Sequence, residues 1–89
     1  MRAIVTVVGH DRVGIIAEVC TLLSKNNVNI LDISQTILQE FFTMTMLVDV
    51  ANCAVSFTDL KAALAAKGGD MGLKIRIQRE DIFEAMHRI

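Results

Sequence analysis

From Ala3 to Val8 the chain is apolar on both faces, with Thr6 the one polar position. That pattern belongs to a strand flanked by neighbours and packed at its face, and it predicts a central strand. After Gly9-His10-Asp11-Arg12-Val13-Gly14 the period changes: Ile16, Val19, Cys20 and Leu23 fall on one helical face, and Glu18, Thr21 and Lys25 on the other. The spacing predicts an amphipathic helix from Arg12 to Asn26, with Asp11 as its N-cap and Asn26-Asn27 as its stop. Asn29 to Gln39 alternates imperfectly, because Leu31, Ile33 and Ile37 share a face with Gln35 while Ile30 and Leu38 lie opposite. A strand with a bulge reconciles the two halves. Gln39-Glu40 predicts a turn, and Phe42, Met44, Met46, Val48 and Val50 then form an unbroken apolar face, so the second and third strands make a hairpin.

A loop over 51–55 leads into Ser56-Phe57-Thr58-Asp59, a start resembling a capping box. Phe57, Leu60 and Leu64 supply a buried stripe, and Gly68-Gly69 is the predicted end of this second helix. From Gly72 onward Leu73, Ile75 and Ile77 alternate with Lys74, Arg76 and Gln78, which predicts an edge strand with one solvated face. The tail spaces Ile82, Phe83, Met86 and Ile89 helically, giving a short C-terminal helix over 80–89. The fold class is therefore α+β. The order describes a ferredoxin-like βαββαβ sandwich, with a four-stranded antiparallel sheet, two helices on one face and a short C-terminal helix. The core spans 1–79 of a single domain, 1–89. The sheet's other face, with Thr43, Thr45 and Leu47, is too apolar to stand in water as a large patch, so a second subunit or the tail helix is expected to cover it.

Composition narrows the function classes. A domain of 89 residues buries only about two-thirds of the surface its unfolded chain exposes, so extra burial against a partner helps it. An apolar fraction of 53% predicts folding without a metal, a disulfide or any other cofactor. A net charge of -1 gives no general attraction to phosphate backbones or anionic lipid, so neither nucleic acid nor membrane is expected as a partner. Cys20 and Cys53 match neither a CxxC pair nor zinc-ligand spacing and read as free thiols of a reducing, cytoplasmic environment. The apolar run AIVTVV is far short of the roughly 20 residues that span a bilayer.

The loop from Gly9 to Gly14 is where chemistry is expected. At the carboxyl end of a strand leading into a helix, the first amides lack internal partners and the helix dipole favours an anion. Gly9 reads as a turn residue, and Gly14 as a position with no side chain to block a guest lying on the backbone. The spacing matches neither a phosphate-cradling loop nor a dinucleotide fingerprint, and Asp11 opposes a highly charged phosphate while suiting an ammonium group. A small carboxylate that also carries an amine fits both ends.

At Gly9, Asp11-Arg12-Val13-Gly14-Ile15, Asn29-Ile30-x-Asp32 and Gln35 the sequence resembles the ACT domain family. It looks most similar to a bacterial and archaeal family of small stand-alone ACT domains, through Asp32-Ile33-Ser34-Gln35, Phe42-Thr43-Met44 and the Ile82-Phe83-Glu84-Ala85-Met86 tail. The resemblance covers essentially the whole chain. It implies a non-enzymatic regulatory homodimer that binds an amino acid or similar small carboxylate. The implied ligand site comprises Gly9, His10, Asp11, Arg12, Val13, Gly14, Ile15, Asn29 and Ile30, often across a subunit interface. Many members carry proline where this chain has Val13, a departure that loosens the loop.

Plainer readings stand beside these. The two glycines serve equally as a tight strand-to-helix turn, Asp11 as an ordinary cap and Asn29 as a strand-end residue. His10, without a metal-spaced neighbour, reads as solvent-exposed, His87 as complementing a helix C-terminus, and Met44 and Met46 as core. Lys74, Arg76 and Arg79 read as a solvated sheet edge. The alternative function is a protein-interaction module whose glycine loop binds nothing.

Overall fold

The computed structural model describes residues 1–81; of the tail helix expected over 80–89, everything from 82 onward, with His87, lies outside the described residues. Six elements follow the predicted order: β1 (Arg2–His10), α1 (Ile15–Lys25), β2 (Asn29–Leu38), β3 (Phe41–Asp49), α2 (Phe57–Met71) and β4 (Leu73–Arg79). They form one antiparallel sheet in the order β2-β3-β1-β4, so β1 is central and β4 an edge. β1 is paired over its whole length, from Arg2 against Asp49 to His10 against Phe41. β2 runs beside β3 with a register shift between Ile30 and Asp32, which places Leu31 in the expected bulge.

The core lies on one face of the sheet. Ala3, Val5 and Val7 from β1, Phe42, Met44, Met46 and Val48 from β3, and Leu73, Ile75 and Ile77 from β4 pack against Ile15, Val19 and Leu23 of α1 and Leu60, Leu64 and Met71 of α2. Each strand residue in that set lies two positions from the next, the strand period that produced the prediction. Met44 and Met46 are fully buried, and the core contains no buried polar or charged side chain among the described residues.

The end of α2 and the roles of two glycines differ from the sequence reading. The second helix does not stop at Gly68-Gly69; it continues to Met71 and ends at Gly72, whose φ of 70° is the left-handed C-cap conformation that glycine adopts without strain. Gly68 is needed for close approach instead, since a Cβ there would stand 2.8 Å from the Leu73 carbonyl oxygen and 3.3 Å from the Ile75 amide nitrogen. Gly9 likewise lies within β1 opposite Leu73, and a Cβ on it would run into the Leu73 side chain; its role is β1–β4 proximity rather than an unusual turn. At the start of α2 the expectation holds, with the Ser56 hydroxyl accepting from the Asp59 amide at 3.1 Å.

The paired glycines give a test in opposite directions. Gly68→Ala destabilises the fold by about 1–3 kcal/mol, because rigid backbone must move. Gly69→Ala, with open space around the new methyl group, stabilises it by about 0.5–1 kcal/mol by restricting the unfolded chain. Urea denaturation of the two variants measures both.

Candidate functional site

The opening of α1 is bare. Its N-cap is Gly14 at φ 91°, ψ 0°, and no side chain caps the helix. Asp11 was the expected cap, but the helix begins three residues later, at Ile15, so Asp11 sits on the loop with its carboxylate free of hydrogen-bond or ion-pair partners among the described residues. The first intrahelical hydrogen bond reaches Glu18, whose amide donates to the Gly14 carbonyl at 2.9 Å. The amides of Ile15, Ile16 and Ala17 precede it and have no intrahelical acceptor. Nothing lies within 4 Å of the position a Gly14 side chain would take.

The residues at that opening line a cleft of about 460 Å³. Asp11, Arg12, Gly14, Ile15, Ile16 and Ala17 form one wall, and Gln35, Ile37 and Phe42 of the hairpin form the other. Two hydrogen bonds hold the loop in place. The Asp11 amide donates to the Glu40 carbonyl at 2.7 Å, tying the loop to the β2–β3 turn, and an Arg12 guanidinium nitrogen donates to the Met71 carbonyl at 3.4 Å, tying it to the end of α2. Val13 at the loop tip is 96% exposed. His10 is also exposed, and its ring lies against Phe41, centroids 5.2 Å apart.

The structure divides the predicted residues into two groups. Gly9 to Ile15 come together at the loop end of the sheet. Asn29 and Ile30 pair with Asp49 and Val48 at the opposite end, whereas the loop end of the same hairpin is marked by Leu38 against Phe41. Eight ladder intervals of about 3.3 Å separate Asn29 from Leu38, roughly 26 Å in all. Asn29 instead borders a second, polar hollow with Ser24, Asn27, Asp49 and Asn52. There the Asp49 carboxylate accepts from the Ala51 amide at 2.9 Å and meets the Met1 ammonium at 3.4 Å, which lowers its pKa below the usual carboxylate range. Gln35 and Ile37, which sequence reasoning had not assigned to the site, line the first cleft; both follow the bulge, and only the bulge turns them toward the helices. The two cysteines are free, and burial pushes the Cys20 thiol up, away from the reactive thiolate.

Two outcomes follow from this geometry. Gly14→Ala places a Cβ on a left-handed residue and costs about 1–2 kcal/mol of stability without any steric clash, so chemical denaturation registers the loss although the site has room. Asp49 has a lowered folded pKa, so its contribution is present above the ordinary carboxylate pKa and is lost as pH falls through the lowered one. Asp49→Asn therefore flattens the acid limb of the stability curve in that window and not near neutrality, which denaturation at stepped pH detects.

With the geometry in hand, comparison with known proteins gives a consistent answer. A family model described as the ACT domain matches residues 2–78. A UPF0237 protein of Bifidobacterium longum is 57% identical over 88 residues, 99% of this chain and 98% of its own. One from Methanocaldococcus jannaschii is 50% identical with the same coverage. An ACT domain protein from Streptococcus pneumoniae, solved as a structure, superposes with a TM-score of 0.82 at 45% identity over 98% of each chain. The chain therefore belongs to the ACT domain family.

Proposed function

We propose that this chain is a non-enzymatic regulatory module that acts as a homodimer and binds an amino acid, or a similar small carboxylate bearing an amine, in the cleft at the α1 opening. ACT domains are typically regulatory and ligand-binding, and the local chemistry supports a zwitterionic guest. The observation that carries the reading is the uncapped helix start at Gly14, open to a cleft that also holds an unpartnered carboxylate. The Ile15, Ile16 and Ala17 amides, together with the positive end of the α1 dipole, receive the carboxylate. Asp11 faces the ammonium, and Ile16, Ile37 and Phe42 offer apolar surface to the ligand's side chain. Arg12 lines the same cleft and contacts the end of α2, so a ligand that engages Arg12 has a direct route to the α2–β4 corner.

Isothermal titration against the proteinogenic amino acids tests the proposal. It predicts saturable heat for one or a few of them. Asp11→Asn weakens that binding roughly tenfold, the scale of one charge-assisted hydrogen bond. No heat from any amino acid, with the oligomer intact, contradicts the ligand assignment.

A further inference from the structure

The cations of this chain are unevenly engaged. Arg2 is held by Glu80, Lys67 by Glu18 and Arg79 by Asp81, and Arg12 donates to the Met71 carbonyl. Lys61, Lys74 and Arg76 have no hydrogen-bond or ion-pair partner among the described residues. All three line one groove of about 370 Å³ between α2 and β4, and no carboxylate lines it with them.

The groove follows an open sheet edge. β4 pairs with β1 on one side only, so alternate residues of Leu73–Arg79 turn their N–H and C=O groups away from the sheet. Beside that edge α2 presents only small residues. Ala65 and Gly69 form its wall, and a Cβ on Gly69 would meet nothing within 4 Å. An extended backbone laid along β4 therefore finds free hydrogen-bonding groups, with room for its side chains on the helix side.

Charge decides which backbone that is. Lys74 and Arg76 alternate with the buried Leu73, Ile75 and Ile77 and so project on the face without helices, whereas Lys61 reaches the groove from α2. A second copy fits poorly, since antiparallel pairing about Arg76 or Ile75, the middle of the strand, sets cation against cation. A polynucleotide would answer the charges but leave the edge backbone unpaired, and no aromatic side chain lines the groove to stack on a base. We infer that this groove takes an extended acidic segment of another protein, added as a further strand beside β4. In strand addition the main chain supplies affinity and alternate side chains supply specificity. The segment that fits alternates, with acids against Lys74 and Arg76 on the open face and small apolar residues over Ala65 and Gly69 on the helix side. Charges that discourage indiscriminate strand addition thereby select one class of strand.

The groove adjoins the corner to which the glycine loop is tied through Arg12, because Met71 ends α2 and Leu73 begins β4. The inference goes beyond the proposed function and does not depend on whether the cleft binds an amino acid.

Fluorescence anisotropy of the intact chain with a labelled peptide of alternating glutamate and valine, matched to the seven residues of β4, tests it. Saturable binding is expected, with the largest amide NMR shifts on β4 and on Lys61, Ala65 and Gly69. The same peptide N-methylated throughout keeps its charge, loses its hydrogen bonds and binds at least about tenfold more weakly. Lys74→Glu combined with Arg76→Glu also weakens the unmodified peptide at least about tenfold, and it confers binding of a lysine–valine counterpart. Both positions are exposed, so circular dichroism is unchanged. No saturable binding, as when residues 82–89 or a second copy fill the groove, overturns the inference. So does equal binding of the N-methylated peptide or of a single-stranded oligonucleotide of the same charge, a set of shifts centred elsewhere, or affinity unchanged by the double reversal. Peptide binding without heat from any amino acid upholds it and removes only the ligand reading.

Discussion

The pairing of β1 with β3 is the constraint on which the other arrangements depend. It runs unbroken from Arg2 against Asp49 to His10 against Phe41, and through β3 it also fixes where every part of β2 lies. Because β1 feeds directly into the glycine loop, the opening of α1 is held at the Phe41 end of the sheet. Asn29, paired with Asp49, is held at the other. One chain has no freedom to bring the two together. Rigid pairing of this kind keeps the glycine loop and the start of β2 roughly 26 Å apart within one chain.

The loop itself is anchored without being sealed. Its backbone is tied to the β2–β3 turn through the Asp11 amide and to the end of α2 through Arg12, while Gly9 lets β1 and β4 approach closely enough to hold that corner. None of these contacts uses the Ile15, Ile16 or Ala17 amides. Gly14, in a left-handed conformation that a larger residue adopts only with strain, turns the chain into the helix and leaves the space beside it open.

Much of this was legible in the sequence because it depends on period. The alternation of Phe42, Met44, Met46 and Val48 and the helical spacing of Val19 and Leu23 record which face is buried, and burial followed them. The broken alternation in β2 signalled its bulge for the same reason. The misreadings arose where two physical causes share one residue type. Gly68-Gly69 carried the mark of a helix stop, but Gly68 is small because β4 passes against it, and the true stop is Gly72. Asp11 is a residue type that caps helices, whereas here the cap position belongs to Gly14. The separation of Asn29 from the loop was invisible because strand register is a tertiary property, set by the partner strand rather than by the residues themselves. Gln35 and Ile37 were missed at the cleft because their facing depends on the exact position of the bulge.

The most direct measurement is an amide NMR titration of the intact protein with the amino acids, one at a time. The account predicts that one or a few of them shift the amides of Ile15, Ile16 and Ala17 saturably, together with those of Gln35 and Ile37 across the cleft. A titration in which no amide at the α1 opening moves, for any amino acid at high concentration, contradicts it.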